Sequence, residues 1–190
     1  MSDASGSVAG IDAARRRSPY STREKIGRML WAVVQGTLFR LSFHNWYGVR
    51  RALLGLFGAR LDPTANVRRT VRIECPWNLE IGAGSSVGDG ATLYCLGPVR
   101  IGRNVTVSQG AHLCAGSHDS RDPAMPLLRP PIEIGDEAWI AADAFVGPKV
   151  KVGAGAILAA RGVAFRDLAP WTIHAGNPAV PVKAREFRRA

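Results

Sequence analysis

The hydrophobic positions of residues 61–169 recur in steps of six, with short interruptions between groups of steps. Each step begins with an aliphatic residue, which Gly often follows, and most steps have a small residue near their end. A six-residue repeat is typical of a parallel β-helix, in which each step forms one short strand and a corner. The first residues of the steps are Leu61, Val67, Ile73, Ile81, Val87, Leu93, Ile101, Val107, Leu113, Ile134, Ile140, Val146, Val152, Leu158 and Ala164.

The interruptions show how the steps are grouped into coils. Three similar segments, LEIG, VRIG and IEIG, begin at Leu79, Val99 and Ile132. The longer second interval indicates that a loop leaves the prism at 119–131. The sequence therefore predicts an all-β solenoid over 61–169, a triangular prism of about five coils filled by the aliphatic residues. The coils are expected to stack at the usual strand spacing of about 4.8 Å.

The segments outside the repeat show other patterns. Residues 1–20 have no period and are predicted to form a flexible tail. Residues 21–60 begin with the capping box of Ser21 and Glu24 and are predicted to form two helices, the second at about 45–57. Residues 170–190 are expected to form a C-terminal extension that follows the prism. The first helix has an apolar stripe at spacing i, i+3, i+4, i+7, formed by Ile26, Met29, Leu30, Val33, Val34, Thr37, Leu38 and Leu41.

The net charge of +10 is concentrated at the ends of the chain. Residues 1–60 contain ten Lys or Arg against three Asp or Glu, whereas residues 61–182 contain eleven of each. Two interpretations of the helical segment stay open, and they are compatible. It covers the open end or the side of the prism, because solenoid ends need cover, or it forms a basic amphipathic foot on the inner face of a membrane. No nucleic-acid motif accompanies the charge, so nucleic acid is not expected as a partner.

The cysteines and the N-terminus indicate a cytoplasmic protein. Cys75 and Cys95 occupy the same position in consecutive coils, and with Cys114 they form no CxxC pair and no zinc spacing. They are predicted to be reduced thiols of a cytosolic protein. The sequence shows no signal peptide and no apolar run of about eighteen residues, so we expect neither export nor a membrane span.

The candidate chemistry centres on His118. It lies in the segment GSHD, where the chain leaves the prism for a loop with four prolines. A polar corner beside a stiff loop is a typical pocket. His112 lies six residues earlier, on the adjacent side of the same coil. No Walker loop, GxSxG or HExxH motif is present.

Several motifs resemble the hexapeptide-repeat acetyltransferases of colanic acid and exopolysaccharide biosynthesis, which group with the maltose, galactoside and nodulation-factor O-acetyltransferases. The resemblance covers about residues 20–183. It implies a left-handed parallel β-helix, acetyl-CoA as co-substrate and no metal. It also implies a homotrimer with the site between neighbouring prisms. The matching segments are PWNLEIG at 76–82, LYCLG at 93–97, SQGAHLCAGSHD at 108–119, IGDEAWIAA at 134–142, FVGP at 145–148 and AGNPA at 175–179.

The resemblance also implies residue roles for direct transfer of acetyl to a sugar hydroxyl. His118 matches the general base, which can accept the hydroxyl proton during attack. The backbone N–H of Ala142 matches the oxyanion donor. His112, Cys95 and Asp119 are expected on the acceptor side, where His112 and Cys95 depart from the family's usual residues. The positions expected to bind coenzyme A are Trp139, Ala142, Ala160, Arg166 and Lys183.

The acceptor is expected to be a sugar or a lipid-linked sugar. Other acceptors remain open, because enzymes of this fold also acetylate serine, small sugars or antibiotics. Two other classes are weaker alternatives. A zinc-binding β-helix needs three converging histidines, which the spacing of His112 and His118 does not supply. A non-catalytic scaffold would not need the SHD, AWIA and GNPA segments.

Overall fold

The computed structural model describes residues 11–186. Of the predicted tail, residues 1–10 lie outside this range and residues 11–16 are helical. Helix α1 (Thr22–Val34) begins at the predicted capping box, with Ser21 and Glu24 each accepting the other's backbone N–H. A π-helical turn (Gln35–Phe39) extends it, and α2 (Tyr47–Leu56) follows. Both predicted helices are therefore present.

The repeat forms a parallel β-helix with three flat faces, as predicted. Face 1 contains β1 (Arg60–Leu61), β4 (Leu79–Ile81), β7 (Val99–Ile101), β12 (Ile132–Ile134) and β15 (Lys151–Val152). Face 2 contains β2 (Asn66–Val67), β5 (Ser86–Val87), β8 (Thr106–Val107), β13 (Trp139–Ile140), β16 (Ile157–Leu158), β18 (Thr172–Ala175) and β19 (Val180–Ala184). Face 3 contains β3 (Arg72–Ile73), β6 (Thr92–Tyr94), β9 (His112–Cys114), β14 (Phe145–Val146) and β17 (Val163–Ala164). The solenoid is left-handed, as expected.

The stack is longer than the predicted five coils. Leu168 bridges Val152 on face 1, and β18 then pairs in parallel with β16. This partial sixth turn has lost the hexapeptide signature, so its sequence did not reveal it. Strand β19 returns antiparallel to β18 and covers the last parallel strand.

The aliphatic residue of each step fills the prism. Leu93, Leu113 and Val146 lie in register on face 3 and are fully buried. Many of the glycines that follow these residues are needed because successive coils approach closely. A Cβ atom at Gly82 would lie 2.6 Å from the carbonyl oxygen of Gly102 in the next coil. Larger residues there would force the coils apart.

A ladder of alternating charges runs along face 1. Arg60, Glu80, Arg100, Glu133 and Lys151 occupy successive strands in register. Arg100 Nε lies 3.5 Å from Glu80 Oε1, and Lys151 Nζ lies 3.4 Å from Glu133 Oε2. Each exposed pair contributes little on its own. A slip of one strand by one residue would remove its charge from the ladder, so the ladder favours this register.

The helices cover the open end of the first coil, which confirms the capping interpretation. Trp31 Nε1 donates to the carbonyl of Ile73 at 2.7 Å, and the side-chain oxygen of Gln35 accepts the N–H of Ile73 at 2.7 Å. On face 2, Arg50 Nε donates to the carbonyl of Val67 at 2.7 Å. These side chains make the hydrogen bonds that another coil would make. They satisfy an edge that would otherwise be open to pairing with other chains.

The predicted apolar stripe of α1 does not make this contact. Trp31 and Arg28 face the prism, whereas Met29, Leu30 and Val33 are exposed. The edge of the first coil presents backbone N–H and carbonyl groups, so polar side chains are better partners for it than aliphatic ones. This requirement overrides the usual rule that an apolar stripe packs inward.

Arg50 is the central residue of the cap. It is fully buried, and it donates to Ser42 Oγ and to the carbonyls of Phe43, His44 and Val67 at 2.7–2.8 Å. Arg50 therefore ties the segment between the helices to the first coil.

We expect Arg50→Met to lower the free energy of unfolding by roughly 3 kcal/mol or more, because it strands several buried acceptors. Methionine keeps the apolar stem and removes only the donors. Urea denaturation followed by circular dichroism measures the change. The exposed Arg40 provides the control, since Arg40→Met should cost less than about 0.5 kcal/mol. Equal stabilities for the two variants would contradict this role of Arg50.

Candidate functional site

The loop predicted at 119–131 leaves the prism as a hairpin between faces 3 and 1. Strands β10 (Ser117–His118) and β11 (Leu127–Leu128) pair antiparallel at its base. Asp119 Oδ1 accepts the N–H of Arg121 at 3.0 Å, and Asp122 Oδ1 accepts that of Ala124 at 2.8 Å. Such Asp side chains stabilise tight turns. Asp119, predicted on the acceptor side, thus shapes the loop from inside.

The loop orients the ring of His118. Nδ1 of this exposed histidine lies 2.6 Å from the carbonyl oxygen of Met125. A carbonyl only accepts hydrogen bonds, so Nδ1 carries the proton, and in the neutral ring Nε2 keeps a free electron pair. Met125 has φ +51°, a left-handed conformation that is uncommon outside Gly, Asn and Asp. The loop therefore favours the tautomer of the neutral His118 ring that carries its proton on Nδ1.

Tyr94 supports the base of the hairpin from the coil below. A Cβ atom at Gly116 would lie 2.8 Å from the Tyr94 ring, so only glycine allows this close contact. Neither Tyr94 nor Met125 stood out as a site residue in the sequence. Met125 acts through its carbonyl, which every residue has, and only the neighbouring turn residues could have indicated its position.

His112 lies on face 3 in a column of aromatic rings. Its ring centroid is 6.4 Å from that of Tyr94 and 5.3 Å from that of Phe145. Phe165 continues the column, 5.8 Å from Phe145. Burial lowers the pKa of His112, and its buried Nε2 has no hydrogen-bond partner within residues 11–186. Burial therefore favours the neutral form of this half-buried ring, which packs beside the hairpin.

Cys95 does not lie where an acceptor could reach it. It is fully buried, its thiol is 3.2 Å from the carbonyl oxygen of Cys75, and burial raises its pKa to about 11. The two cysteines are neighbours in consecutive coils, as predicted. The expectation that Cys95 contacts the acceptor is inconsistent with this inward position, because the Cys95 side chain is turned into the prism.

The residues predicted to bind coenzyme A lie mainly on a different edge. Ala142 and Ala160 occupy the corner between faces 2 and 3 in consecutive coils, where the Arg161 N–H donates to the Ala142 carbonyl at 2.9 Å. Trp139 begins β13 on face 2, and its Nε1 donates to Ser108 Oγ at 2.9 Å. Lys183 lies on β19, opposite Ile173 of β18.

One chain does not bring the predicted site together. His118 lies at the corner between faces 3 and 1, where the hairpin leaves the prism. Arg166 lies at the same corner, two coils further along. Ala142 and Ala160 lie at the other end of face 3. A side of the prism is one six-residue step, roughly 15–20 Å at the rise of a strand. Transfer chemistry needs reacting groups within a few ångströms. His118 therefore cannot act together with Ala142 and Ala160 of the same protomer.

The described residues, 11–186, contain no cluster of three or more His, Cys, Asp or Glu that could hold a metal ion.

The chain is similar to known acetyltransferases in sequence and in structure. It is 40% identical over 156 residues to the Escherichia coli protein named "Putative colanic acid biosynthesis acetyltransferase WcaF", an alignment covering 82% of this chain and 86% of that protein. A galactoside acetyltransferase in complex with coenzyme A superposes with a TM-score of 0.80 at 20% identity, covering 89% of this chain and 86% of that one. No family model matches the sequence.

A second solved structure carries the acetyl donor. The hexapeptide-repeat acetyltransferase of Vibrio cholerae complexed with acetyl coenzyme A superposes with a TM-score of 0.78 at 22% identity. The superposition covers 90% of this chain and 93% of that one. At these identities, the two solved structures show the fold of this chain.

The lowered pKa of His112 predicts a pH-dependent contribution to stability. The folded state holds the neutral imidazole, whereas the unfolded chain takes up a proton at the ordinary pKa, near 6.5. Below about pH 7 the unfolded state therefore binds more protons, and the stability of the wild type falls as the pH falls. Neither His112→Phe nor His112→Gln should show this component.

Urea denaturation of the three proteins between about pH 5 and about pH 8 measures the effect. Phe also fills the aromatic column without a buried polar atom, so His112→Phe should be more stable than His112→Gln at every pH. If His112→Phe kept the full pH dependence of the wild type, another group would have to be responsible.

Proposed function

The chain belongs to the family of the colanic acid biosynthesis acetyltransferases, and from this premise we propose that it transfers acetyl from acetyl-CoA to a sugar hydroxyl of an exopolysaccharide precursor. Membership makes it an acetyltransferase. The colanic acid relative supports this acceptor class, and neighbours that hold coenzyme A or acetyl coenzyme A support this donor.

The observation that carries the mechanism is the hydrogen bond between His118 Nδ1 and the Met125 carbonyl. It supports Nε2 of His118 as the general base. The acceptor hydroxyl oxygen attacks the thioester carbon while its proton moves to Nε2. The tetrahedral intermediate then expels the coenzyme A thiolate, which takes the proton from the imidazolium. Base catalysis of this kind contributes roughly 10²–10⁴-fold.

The backbone N–H of Ala142 is the proposed donor to the oxyanion of this intermediate. Within the described residues this N–H makes no hydrogen bond, and its corner is half-buried. A free N–H held by the strands on both sides costs no reorganisation when charge develops. Trp139, Ala160 and Lys183 would line the path of coenzyme A along the same edge. Arg166, which is exposed, would pair with a phosphate.

A homotrimer would complete this site. The base and the proposed oxyanion donor lie at opposite ends of face 3, so each site would join His118 of one protomer to Ala142 and Ala160 of the next. A head-to-tail contact between flat faces closes into a ring when the rotation is threefold. The stacked rings of Tyr94, His112, Phe145 and Phe165 give face 3 an apolar surface suited to such a contact.

We expect His118→Gln to lower kcat by about 10²–10⁴-fold and to leave the KM for acetyl-CoA nearly unchanged. The base acts on the acceptor and not on the nucleotide. Thiol release from acetyl-CoA in the presence of a panel of sugars measures the rate, and mass spectrometry of the products identifies the acceptor. His44, which lies far from the hairpin in the cap, provides the control variant His44→Gln.

Retention of more than half of the wild-type kcat by a folded His118→Gln protein would refute the assignment of the base. A wild type that releases thiol with none of the sugars would instead contradict the acceptor class.

A further inference from the structure

The side of the helical cap that faces away from the prism is apolar. Helix α1 exposes Ile26, Met29, Leu30 and Val33, and α2 exposes Val49 and Leu56. The segment between the helices adds more, and Leu41 and Leu56 are 76% and 80% exposed. We name this surface, formed by the exposed apolar side chains of residues 26–56, the outer cap face. An exposed apolar surface of this extent marks an interaction site.

The orientation of the helices accounts for this surface. Their polar side chains are used to hold the prism: Arg28 pairs with Glu74, and Glu24 pairs with Arg129. Gln35 and Arg50 bind the first coil as described above. A surface helix normally buries its apolar stripe and exposes its polar one. Here the arrangement is reversed, so Ile26, Met29, Leu30 and Val33 stay exposed.

The charges around the outer cap face have one sign. From Lys25 to Leu61 the sequence contains no Asp or Glu. Lys25 and Arg40 are exposed at the cap. A second copy of the same face would bring these cations together without a carboxylate to pair with them. An anionic surface is the complementary partner.

The segment between the helices adds an aromatic pair. Phe43 and Trp46 are exposed, and their ring centroids lie 5.1 Å apart. Aromatic rings of this kind are enriched at the headgroup level of membranes, where one part of the ring is apolar and another is wet. A protein partner would not require this combination of aliphatic, aromatic and cationic side chains.

We propose that the outer cap face binds the surface of an anionic lipid bilayer. Its aliphatic side chains enter the boundary of the acyl chains, and Lys25 and Arg40 contact lipid phosphates. The mode is interfacial: none of the helices within residues 11–186 has the length and hydropathy of a membrane span. Stable interfacial binding takes both buried apolar area and electrostatic attraction, and this face offers both.

Lipid binding would also orient the hairpin that carries His118. Arg129, at the end of the hairpin, pairs with Glu24 of α1 and donates to the carbonyl of Pro19 at 3.1 Å. The ring of Tyr20 lies beneath the same guanidinium, 5.2 Å from its carbon. A cap on a bilayer would therefore hold the hairpin at a set angle to the membrane. This geometry suits an acceptor anchored in lipid, an extension that rests on the proposed function.

Cosedimentation of the full-length protein with vesicles tests the lipid proposal without any activity measurement. The probes are vesicles of phosphatidylcholine alone and of phosphatidylcholine with phosphatidylglycerol. We expect binding to the anionic vesicles, weakened by added salt, and little binding to the neutral ones. The double variant Leu41→Glu, Leu56→Glu should lose at least tenfold in affinity, because both side chains are exposed and enter the apolar boundary.

Matched variants separate the two contributions. Lys25→Gln and Arg40→Gln should each weaken binding to anionic vesicles by about fivefold. Val182→Glu alters an exposed apolar residue outside the cap and should bind as the wild type does. Circular dichroism verifies that each variant is folded.

Failure of the wild type to bind anionic vesicles at low salt would overturn the proposal. Equal binding by the Leu41→Glu, Leu56→Glu variant would overturn it as well. A third result would also overturn it: the wild type binds no vesicles, and light scattering shows larger assemblies that are absent in the double variant. The outer cap face would then bind a second copy of the chain.

Discussion

The constraint on which this structure depends is the hydrogen bonding of each coil to the next. A coil is too small to bury its own aliphatic residues, and its backbone groups find partners only in the coils on either side. Glycine at positions such as Gly82 allows the coils to approach closely enough, and the charge ladder of face 1 favours the register. Such a stack has two open ends. Polar side chains of α1 and α2 close the first, and β19 closes the last.

The same constraint determines where chemistry can occur. Any residues beyond the repeat must leave at a corner, because an insertion within a strand would break the pairing on both sides. The hairpin with His118 leaves at such a corner, and its own turns hold the Met125 carbonyl against the imidazole. The same constraint also determines how the helices of the cap are oriented. Its polar side chains serve the edge of the first coil, and this leaves its apolar side chains facing outward.

Much of this could be predicted from the sequence, because the repeat is strict. The period predicted the three faces, the longer interval predicted the loop at 119–131, and the capping box predicted the start of α1. Two features could not be predicted in this way. The direction of the α1 stripe depends on the hydrogen bonds that the edge of the first coil requires. These are tertiary contacts, which a local sequence pattern does not show. Whether Cys95 faces the core or the surface depends on how the chain turns after β6, where the repeat is interrupted.

Only part of the candidate site was predicted, for a similar reason. His118 was predicted because its imidazole side chain lies in the recognisable segment GSHD. Met125 was not, since its contribution is a carbonyl and an unusual φ angle. The separation of His118 from Ala142 and Ala160 emerges only when the steps are wound into faces. Because of this separation, the proposed site has to be shared between protomers.

Complementation between two inactive variants tests that claim most directly. His118→Ala removes the base, and Ala160→Trp fills the proposed path of coenzyme A on the other edge. Coexpressed in equal amounts, the two chains would form mixed trimers in which about one quarter of the sites combine an intact His118 with an intact Ala160 from a neighbour. Acetyl transfer should then return to about that fraction of the wild-type rate. Mixed trimers that stay as inactive as either variant alone would contradict a shared site.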